Sequence, residues 1–445
     1  MWTRLLRLCR LAVVIPIAAW AQTDAPAFDP KALLLRVRAS VNDTVARLPK
    51  YMCTLTIDRA QYSPDLYHAP SCDAMAAQQA KGQLNPRLYE TDRVRLDVGV
   101  GGANEMYSWV GEDHFDDRDL FDMVRQGALQ SGSFSGFLIS IFASDSAANF
   151  TYDGEMEWEG RMLPEFGFQV PLSQSHYTFT NRHGSQVLTG YEGEFLADPN
   201  TGDLIRLIIR TNGDLRDTGA CESTTTLRYS RVRLYESEFL LPRATELDIL
   251  DTDGSEFRNR TGYANCHEFR GESTLKFDAP SPQASPAPAK TAAPLALALP
   301  PGLQFKLVLS ESIRTETAAT GDRIQARLAS AIRDQSSKSV LVPKGALVTA
   351  RIAGLQHYVG PPSSVTLLVK LEAVEMGGRT VPLAAERISR TAPFDPPRSQ
   401  GLRRRIPLGT FAMLSNAKLG LFEFHNVKPN FVIKSGLESD WVTAP

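Results

Sequence analysis

The chain has 445 residues, more than the ~250 to 300 over which one hydrophobic core usually grows, so we expect more than one domain. Its apolar fraction of 43% is sufficient for such cores. The formal net charge of −2, with basic and acidic residues interspersed, excludes the electrostatic footprint of a nucleic-acid-binding protein, and the single dense basic run, 403–405, is interpreted as a solvated loop.

The chain begins with the layout of a bacterial secretory signal peptide. Three arginines within the first ten residues precede a short apolar run, 11–18, and the small residue Ala21 follows. This run is too short to span a bilayer, which takes about 20 apolar residues in a helix. We therefore predict a signal peptide over 1–21. The mature protein is then expected to have no transmembrane span and to lie in the periplasm or outside the cell.

Four cysteines remain after this cleavage, because Cys9 lies within the removed segment. An even number of cysteines in an oxidising compartment predicts two disulfides, and all three connectivities are open. A simple meander over 221–267 would place its two cysteines toward opposite ends of the sheet, which counts against their pairing with each other. The cysteines lack the close paired spacing of a zinc site, so no metal is predicted. The disulfide candidates are Cys53, Cys72, Cys221 and Cys266.

The mature region begins with a helix, which strands follow. Asp29 can cap the helix, Pro30 suits its first position, and apolar residues recur at the helical period. Most of the later segments alternate apolar and polar residues, as 93–100 does, and are joined by turns rich in Asn, Asp and Gly. The pattern predicts a helix plus an antiparallel sheet of consecutive hairpins over 22–277.

A glycine-rich segment, 127–142, interrupts the strands. Its glycines are interspersed with apolar side chains, which predicts a loop that runs into a short apolar helix. The segment lacks the Gly-Lys-Ser/Thr ending of a phosphate-binding loop. Its apolar residues could form a lid over a cavity, whereas packing into the core is the simpler interpretation. As a lid, the segment would offer these ligand-binding residues: Phe134, Phe137, Leu138, Ile141 and Phe142.

Residues 278–301 form the clearest domain boundary. They are rich in Pro, Ala and Ser, which predicts an extended, semi-rigid linker. Beyond the linker, 302–445 shows further alternating segments, and Gly377-Gly378 predicts a hairpin between two of them. We therefore predict a second, small β-barrel-like domain with an irregular tail, and a protein that is mainly β as a whole.

The element order of 29–277 resembles the bacterial lipoprotein-carrier group of envelope proteins. The motif Gly-Glu-Phe-Leu-Ala-Asp-Pro at 193–199, which leads into a strand at 204–209, is part of this resemblance. In that group an open half-barrel wraps an apolar cavity that holds acyl chains. The resemblance thus implies an open antiparallel half-barrel for the first domain, with a lipid or another apolar ligand inside it.

A second resemblance covers the stretch 299–383, which is similar to the β-barrel module of conjugal-transfer proteins in type IV secretion. It is based on Leu-Pro-Pro-Gly at 299–302, Gly-Asp at 321–322 and Val-Pro-Lys-Gly at 342–345. The stretch lacks the transmembrane segment of those proteins, so no secretion-channel role is implied. Taken whole, the chain is similar to secreted proteins of soil bacteria without an assigned activity, and this similarity implies no chemistry.

Motifs of catalysis and metal binding give no firm site. The acidic run 112–119 offers oxygens and the imidazole of His114, but it lacks the spacing of a calcium loop, so we interpret it as a solvated acidic turn. The sequence contains neither a nucleophile elbow nor a His-Glu-x-x-His motif. Carboxylate pairs such as Glu155 with Glu157 are interpreted as surface residues of a strand. No catalytic residue and no cofactor is predicted.

These observations leave three functional hypotheses. The leading one is a non-enzymatic envelope protein whose first domain binds an apolar or amphiphilic ligand and whose second domain docks a partner in the envelope. The alternative is a structural or assembly scaffold without a small-molecule ligand, to which the long linker is equally suited. A secreted metal-dependent enzyme is the third, with Asp113, Asp116 and Asp117 as its candidate ligands.

Overall fold

The structure is a computed structural model, and it describes part of the chain. The predicted signal peptide and most of the predicted linker lie outside the described residues. What is described before the linker is called the first region, 28–269, and what is described after it the second region, 299–444. The described residues are 28–63, 71–83, 85–101, 104–124, 128–129, 133–181, 186–269, 299–334, 336–388 and 418–444.

The protein is mainly β, as the sequence predicts, with a few helices in the first region. The described helices are α1 (Pro30–Arg47), α2 (Cys72–Ala80), α3 (Leu120–Met123) and α4 (Gly136–Phe142). The strands of the first region are β1 (Tyr51–Ser63), β2 (Arg87–Gly101), β3 (Asn104–Trp109), β4 (Asn149–Trp158), β5 (Arg161–Val170), β6 (Thr178–Thr180), β7 (Gln186–Leu188), β8 (Tyr191–Ala197), β9 (Leu204–Thr211), β10 (Ala220–Leu234), β11 (Ser237–Asp251) and β12 (Glu256–Glu268).

The second region contains strands only, among its described elements. They are β13 (Gln304–Leu309), β14 (Ile313–Arg314), β15 (Arg323–Leu328), β16 (Ile332–Arg333), β17 (Val340–Val342), β18 (Leu347–Tyr358), β19 (Ser364–Met376), β20 (Arg379–Pro382), β21 (Ala385–Arg387), β22 (Gly420–His425), β23 (Val432–Ile433) and β24 (Glu438–Thr443).

Helix α1 begins where the sequence predicts. The Asp29 side chain accepts a hydrogen bond from Lys31 N at 3.0 Å, and Pro30 occupies the first helical position. A buried stripe that includes Leu33 and Val37 packs against apolar side chains of the sheet. The cap satisfies a backbone donor that the helix leaves free, and the stripe fixes the helix to the core.

The main sheet of the first region is an open, antiparallel half-barrel. Its strands run in the order β4–β5–β8–β9–β10–β11–β12–β1–β2–β3, and each pairs antiparallel with the next. Most neighbouring strands are also consecutive in the chain and form hairpins, as predicted. The β12–β1 pair is an exception, and it brings the end of the region beside its beginning. Strands β4 and β3 are the edges, and α1 and α4 pack into the core on one side of the sheet.

The main strands described in the second region form an open antiparallel run and no closed barrel. They pair in the order β22–β19–β18–β15–β13–β24–β21, all antiparallel, and β20 adds to β19. Inward-facing residues such as Leu307, Val348, Val369 and Trp441 form its core. This region therefore has its own hydrophobic interior.

Backbone pairing joins the two regions. The end of β18 pairs antiparallel with β2, with Tyr358 opposite Glu90. Nearby, Arg95 N donates to Thr320 O at 2.8 Å, and Thr320 N donates to Arg93 O at 2.8 Å. Eighteen of the described strands, from both regions, thus belong to one sheet, and the pairs β6–β7, β14–β23 and β16–β17 form separate two-stranded sheets. The division into two domains at the linker stays a prediction.

Two disulfides are present, as the sequence predicts. Cys53 of β1 is bonded to Cys266 of the neighbouring β12, and Cys72 of α2 is bonded to Cys221 at the start of β10. The pairing of Cys221 with Cys266, against which the meander argument counts, does not occur. The Cys72–Cys221 bond fastens the short helix α2 to the sheet.

None of the described helices has the length and the apolar character that crossing a membrane requires.

Candidate functional site

A cleft of about 470 Å³ opens beside the inner face of the half-barrel. It lies between strands β3, β10 and β11, helix α3 and the β6–β7 hairpin. Its volume falls within the range of roughly 300 to 1,000 Å³ that small-molecule sites occupy. The lining residues are Asn104, Glu105, Tyr107, Asp119, Leu120, Phe121, Leu129, Tyr177, Thr178, Phe179, Thr180, Gln186, Ser223, Leu247 and Ile249.

Two small elements form the walls of the cleft that the main sheet does not supply. The Asp119 side chain caps α3 by accepting a hydrogen bond from Asp122 N at 2.8 Å. The β6–β7 hairpin stands apart from the main sheet, and the buried ring of Phe179 anchors it in a small core with Leu247 and Phe257. The short elements are therefore held in place by one cap and one aromatic anchor.

The cleft lining is amphiphilic. Aliphatic and aromatic side chains, among them Phe179, Leu247 and Ile249, are buried at its floor. Exposed polar side chains, which include Asn104, Gln186 and Thr178, lie at its rim. A ligand with an apolar part and a polar part would match both surfaces.

A carboxylate, Glu105, lies at the junction of the cleft with the interior of the half-barrel. It accepts hydrogen bonds from the Tyr107 hydroxyl and, at 3.2 Å, from Phe134 N. Burial, followed by the nearby Glu105 charge, raises the pKa of Tyr107 well above its usual value. The phenol thus stays protonated and donates to the carboxylate.

Three further tyrosines are buried in the interior, and two of them, Tyr51 and Tyr263, feel the charge of this carboxylate. Burial raises the pKa of Tyr263 to about 12, and its hydroxyl lies 2.8 Å from the Thr245 hydroxyl. Burial also raises the pKa values of Tyr51 and Tyr229 far above the usual range of a phenol. The hydroxyls of Tyr51 and Tyr229 have no hydrogen-bond partner among the described residues. The interior beside the cleft therefore holds neutral polar groups, two of them unsatisfied.

Four of the five predicted ligand-binding residues belong to α4 and are buried in the core. Phe142 packs its ring against Phe195, with centroids 5.1 Å apart. From α1, the Asn42 side chain donates to Phe142 O at 3.1 Å, and Arg38 donates to Ala143 O. These four residues do not line the cleft; they are Phe137, Leu138, Ile141 and Phe142.

Phe134, the fifth of these residues, borders the cleft from behind. Its ring contacts Tyr263 at a centroid distance of 4.9 Å, close to Glu105. The ring of Phe137 contacts Tyr177, a lining residue, at 5.6 Å. The predicted segment therefore supports the walls of the cleft, and its direct role in ligand binding stays a prediction.

The sequence did not point to the residues that line the cleft. Glu105 and Tyr107 face it from β3 and Leu247 faces it from β11, while Asp119 and Phe179 face it from short elements. The alternation of apolar and polar residues marks which strand positions face inward, and this signal could have found the strand residues. No local pattern shows which inward positions surround a cavity.

The acidic run 112–119 takes part in the contact between the two regions. Glu112 pairs with Arg351, which also pairs with Glu372 at 2.6 Å and donates to Gly321 O at 2.7 Å. The Arg351 side chain is 4% exposed. A buried cation requires such partners, so this part of the run has a structural use.

Metal binding by the acidic run has little support in the geometry. One ligand atom from each of Glu112, Asp113 and His114 lies within 4.8 Å of the others, but the Glu112 carboxylate is committed to an arginine. The hydrogen bond to Asp113, at 2.7 Å, raises the pKa of His114. Asp116, a candidate ligand of the third hypothesis, pairs with Arg118.

Comparisons with known proteins give no family. No family model and no curated protein matches the chain. Among solved structures, a DUF1329 family protein from Desulfovibrio piger is 10% identical, with a TM-score of 0.27, and the match covers 55% of this chain and 96% of that chain.

Two other structural matches have names related to lipoprotein carriers. A protein domain from Vibrio parahaemolyticus described as an outer membrane lipoprotein-sorting protein is 9% identical, with a TM-score of 0.25, over 55% of this chain and 94% of that chain. A LolA superfamily protein from Nitrosomonas europaea is 8% identical, with a TM-score of 0.23, over 55% of this chain and 96% of that chain. The names are in line with the resemblance of the first region, but at these TM-scores the likeness carries no argument about function.

Proposed function

We propose that the first region binds an amphiphilic ligand in the cleft and has no enzymatic activity. The observation that carries this proposal is a cleft of about 470 Å³ with an apolar floor and a polar rim. The apolar part of the ligand would cover Leu247, Ile249 and Phe179, and its polar part would lie among the rim residues. Each Å² of apolar surface removed from water would contribute about 25 cal/mol to binding.

The chemistry of the lining supports binding rather than catalysis. Among the described residues that surround the cleft there is no histidine, cysteine or lysine, which are frequent general bases and nucleophiles. The carboxylate of Glu105 is occupied by hydrogen bonds from Tyr107 and Phe134 N. Raised pKa values keep the neighbouring phenols neutral.

The cell envelope is the location that we propose for this activity. Two disulfides fit an oxidising compartment, because reducing systems in the cytoplasm keep thiols free. The docking of an envelope partner by the second region stays a prediction.

A scaffold without a small-molecule ligand is the second candidate. The pairing of β18 with β2 and the buried Arg351 favour it, since both hold the two regions in one arrangement. A scaffold needs such rigidity, whereas a ligand carrier needs it only within the first region.

Binding of a neutral fluorescent probe separates the two candidates. We expect the delipidated, full mature chain to bind N-phenyl-1-naphthylamine with an increase in its fluorescence. Thr178→Tyr places a larger side chain at the exposed rim and should weaken binding at least fivefold. Thr151→Tyr, at an exposed position of β4 away from the cleft, is the matched control and should bind like the natural protein.

A wild-type protein that binds no probe would favour the scaffold. Equal affinity of the two tyrosine variants would mean that the probe occupies another site. Circular dichroism and the urea midpoint of each variant establish that it is folded before its affinity is compared.

A further inference from the structure

The charged residues that line the cleft share one sign. Among the described lining residues, Glu105 and Asp119 are ionisable acids, and no lysine, arginine or histidine is present. One carboxylate lies on β3 and the other at the start of α3, so they approach the cleft from different elements. A charged head group in the cleft would therefore lie among negative charges.

Hydrogen bonds fix both carboxylates in position. Glu105 accepts from the Tyr107 hydroxyl and from Phe134 N, and Asp119 accepts from Asp122 N. Each carboxylate has about four lone-pair sites, so these hydrogen bonds leave acceptor capacity for a ligand. The negative charge is thus placed before a ligand arrives, and no reorganisation is needed to present it.

The walls around these carboxylates strengthen their effect on a charged ligand. Leu120 and Leu247 are buried and apolar, and they reduce the screening that water would provide. Four aromatic rings also line the cleft, and the faces of such rings attract cations. The aromatic lining residues are Tyr107, Phe121, Tyr177 and Phe179.

We infer that the cleft takes an amphiphile with a cationic amine or ammonium head group and a single apolar chain, and that it discriminates against the same chain with an anionic head group. This inference rests on the proposed function, since it specifies the ligand class of the same cleft. The carboxylates attract the cation, the aromatic rings contact it, and the apolar floor takes the chain.

Competition between two probes of equal chain length tests the inference. In this experiment, dodecylammonium or dodecanoate, each below its critical micelle concentration, competes with N-phenyl-1-naphthylamine for the full mature chain. We expect dodecylammonium to displace the probe at a concentration at least tenfold lower, which corresponds to about 1.4 kcal/mol. In the double variant Glu105→Gln with Asp119→Asn, this preference should fall to about threefold or less.

Controls keep the result interpretable. Asn is as good a helix cap as Asp, so Asp119→Asn retains the start of α3 and carries the test alone if Glu105→Gln fails to fold. Glu155→Gln removes an exposed carboxylate of β4 and should leave the preference unchanged.

Two outcomes would overturn the inference, and they can be told apart. If the neutral probe binds and dodecanoate displaces it as well as dodecylammonium does, the ligand class is wrong while the proposed function stands. If the neutral probe itself does not bind, both are overturned. A preference for the cation that survives removal of both carboxylates would also contradict the inference.

Discussion

Single hydroxyl groups decide part of the stability of the half-barrel interior. A buried polar group without a hydrogen bond costs folding free energy, because it loses its contacts with water. Tyr51 and Tyr229 carry such hydroxyls, whereas the hydroxyl of Tyr263 is close enough to Thr245 for a hydrogen bond. The three phenols are chemically equal, so the difference lies only in their surroundings.

Removal of these hydroxyls should have opposite effects on stability. We expect Tyr51→Phe to leave the free energy of unfolding unchanged or raise it by up to about 1 kcal/mol, since an unsatisfied group is lost. Tyr263→Phe should lower it by about 1 kcal/mol, because Thr245 loses its partner. Urea unfolding measures both. A decrease for Tyr51→Phe as large as that for Tyr263→Phe would mean that the Tyr51 hydroxyl has a partner.

Charge pairs show what residue patterns cannot predict. Arg351 and Glu112 are 239 positions apart, and no local spacing relates them. From the sequence, the acidic run was therefore interpreted as a solvated turn, although its first residue, Glu112, pairs with the buried guanidinium of Arg351. Its exposed members, Asp113 and His114, do fit the solvated interpretation.

The sequence predicted the existence of α1 and α4, but it did not predict the role of α4. The cap at Asp29 and the 3.6-residue period predicted α1, because both signals are local. The glycine-rich segment predicted a short apolar helix, and α4 is that helix. A lid and a core helix have the same apolar pattern, so the sequence left the two roles open. In the structure α4 is buried in the core, and hydrogen bonds from Arg38 and Asn42 hold its end against α1, while its part in ligand binding stays a prediction.

The role of α4 as part of the core can be measured. Phe142→Ala should lower the free energy of unfolding by about 3 to 5 kcal/mol, since the ring is fully buried against Phe195 and Phe150. Phe121→Ala, at a partly exposed residue of the cleft wall, should lower it by less and should weaken probe binding instead. Thermal unfolding and probe titration separate the two effects. If the two variants were equally stable, the core role of α4 would be contradicted and the interpretation as a lid would be favoured.

The whole molecule depends on a joint that the sequence did not indicate. The alternating segments beyond the linker correctly predicted that strands recur there, but nothing in the sequence indicated that β18 would continue the sheet beside β2. Such pairing uses backbone groups, which every residue carries, so it leaves no signature in the side chains. Titratable side chains nevertheless gather there, and Glu90 lies opposite Tyr358 in the pairing.

The pH dependence of stability should report on this joint. Burial, with a smaller contribution from Asp92, raises the pKa of Glu90 from its ordinary value of 4.5 to about 7. Between these two values the folded chain holds a proton that the unfolded chain releases, so stability falls as pH rises through this window. Burial lowers the pKa of His357 in the same joint, which acts in the opposite direction below pH 6.5.

Comparison with Glu90→Gln isolates the contribution of this carboxyl group. We expect the variant to lose less stability than the natural protein between pH 5 and pH 8, as measured by urea midpoints, with the His357 contribution common to both. Glu155→Gln, on the exposed face of β4, should behave like the natural protein. Parallel pH profiles for Glu90→Gln and the natural protein would contradict the assignment.

The two disulfides are nested along the chain, because Cys53–Cys266 encloses Cys72–Cys221. During synthesis, Cys53 and Cys72 emerge together long before either native partner exists. A bond between these two closes a much shorter loop, which costs less chain entropy than either native bond. Oxidation in the order of synthesis would therefore favour the non-native bond, and thiol–disulfide exchange would then be needed to undo it once β10 and β12 have been made. We therefore expect oxidative refolding of the reduced chain to be faster when a disulfide isomerase is present than with an oxidant alone.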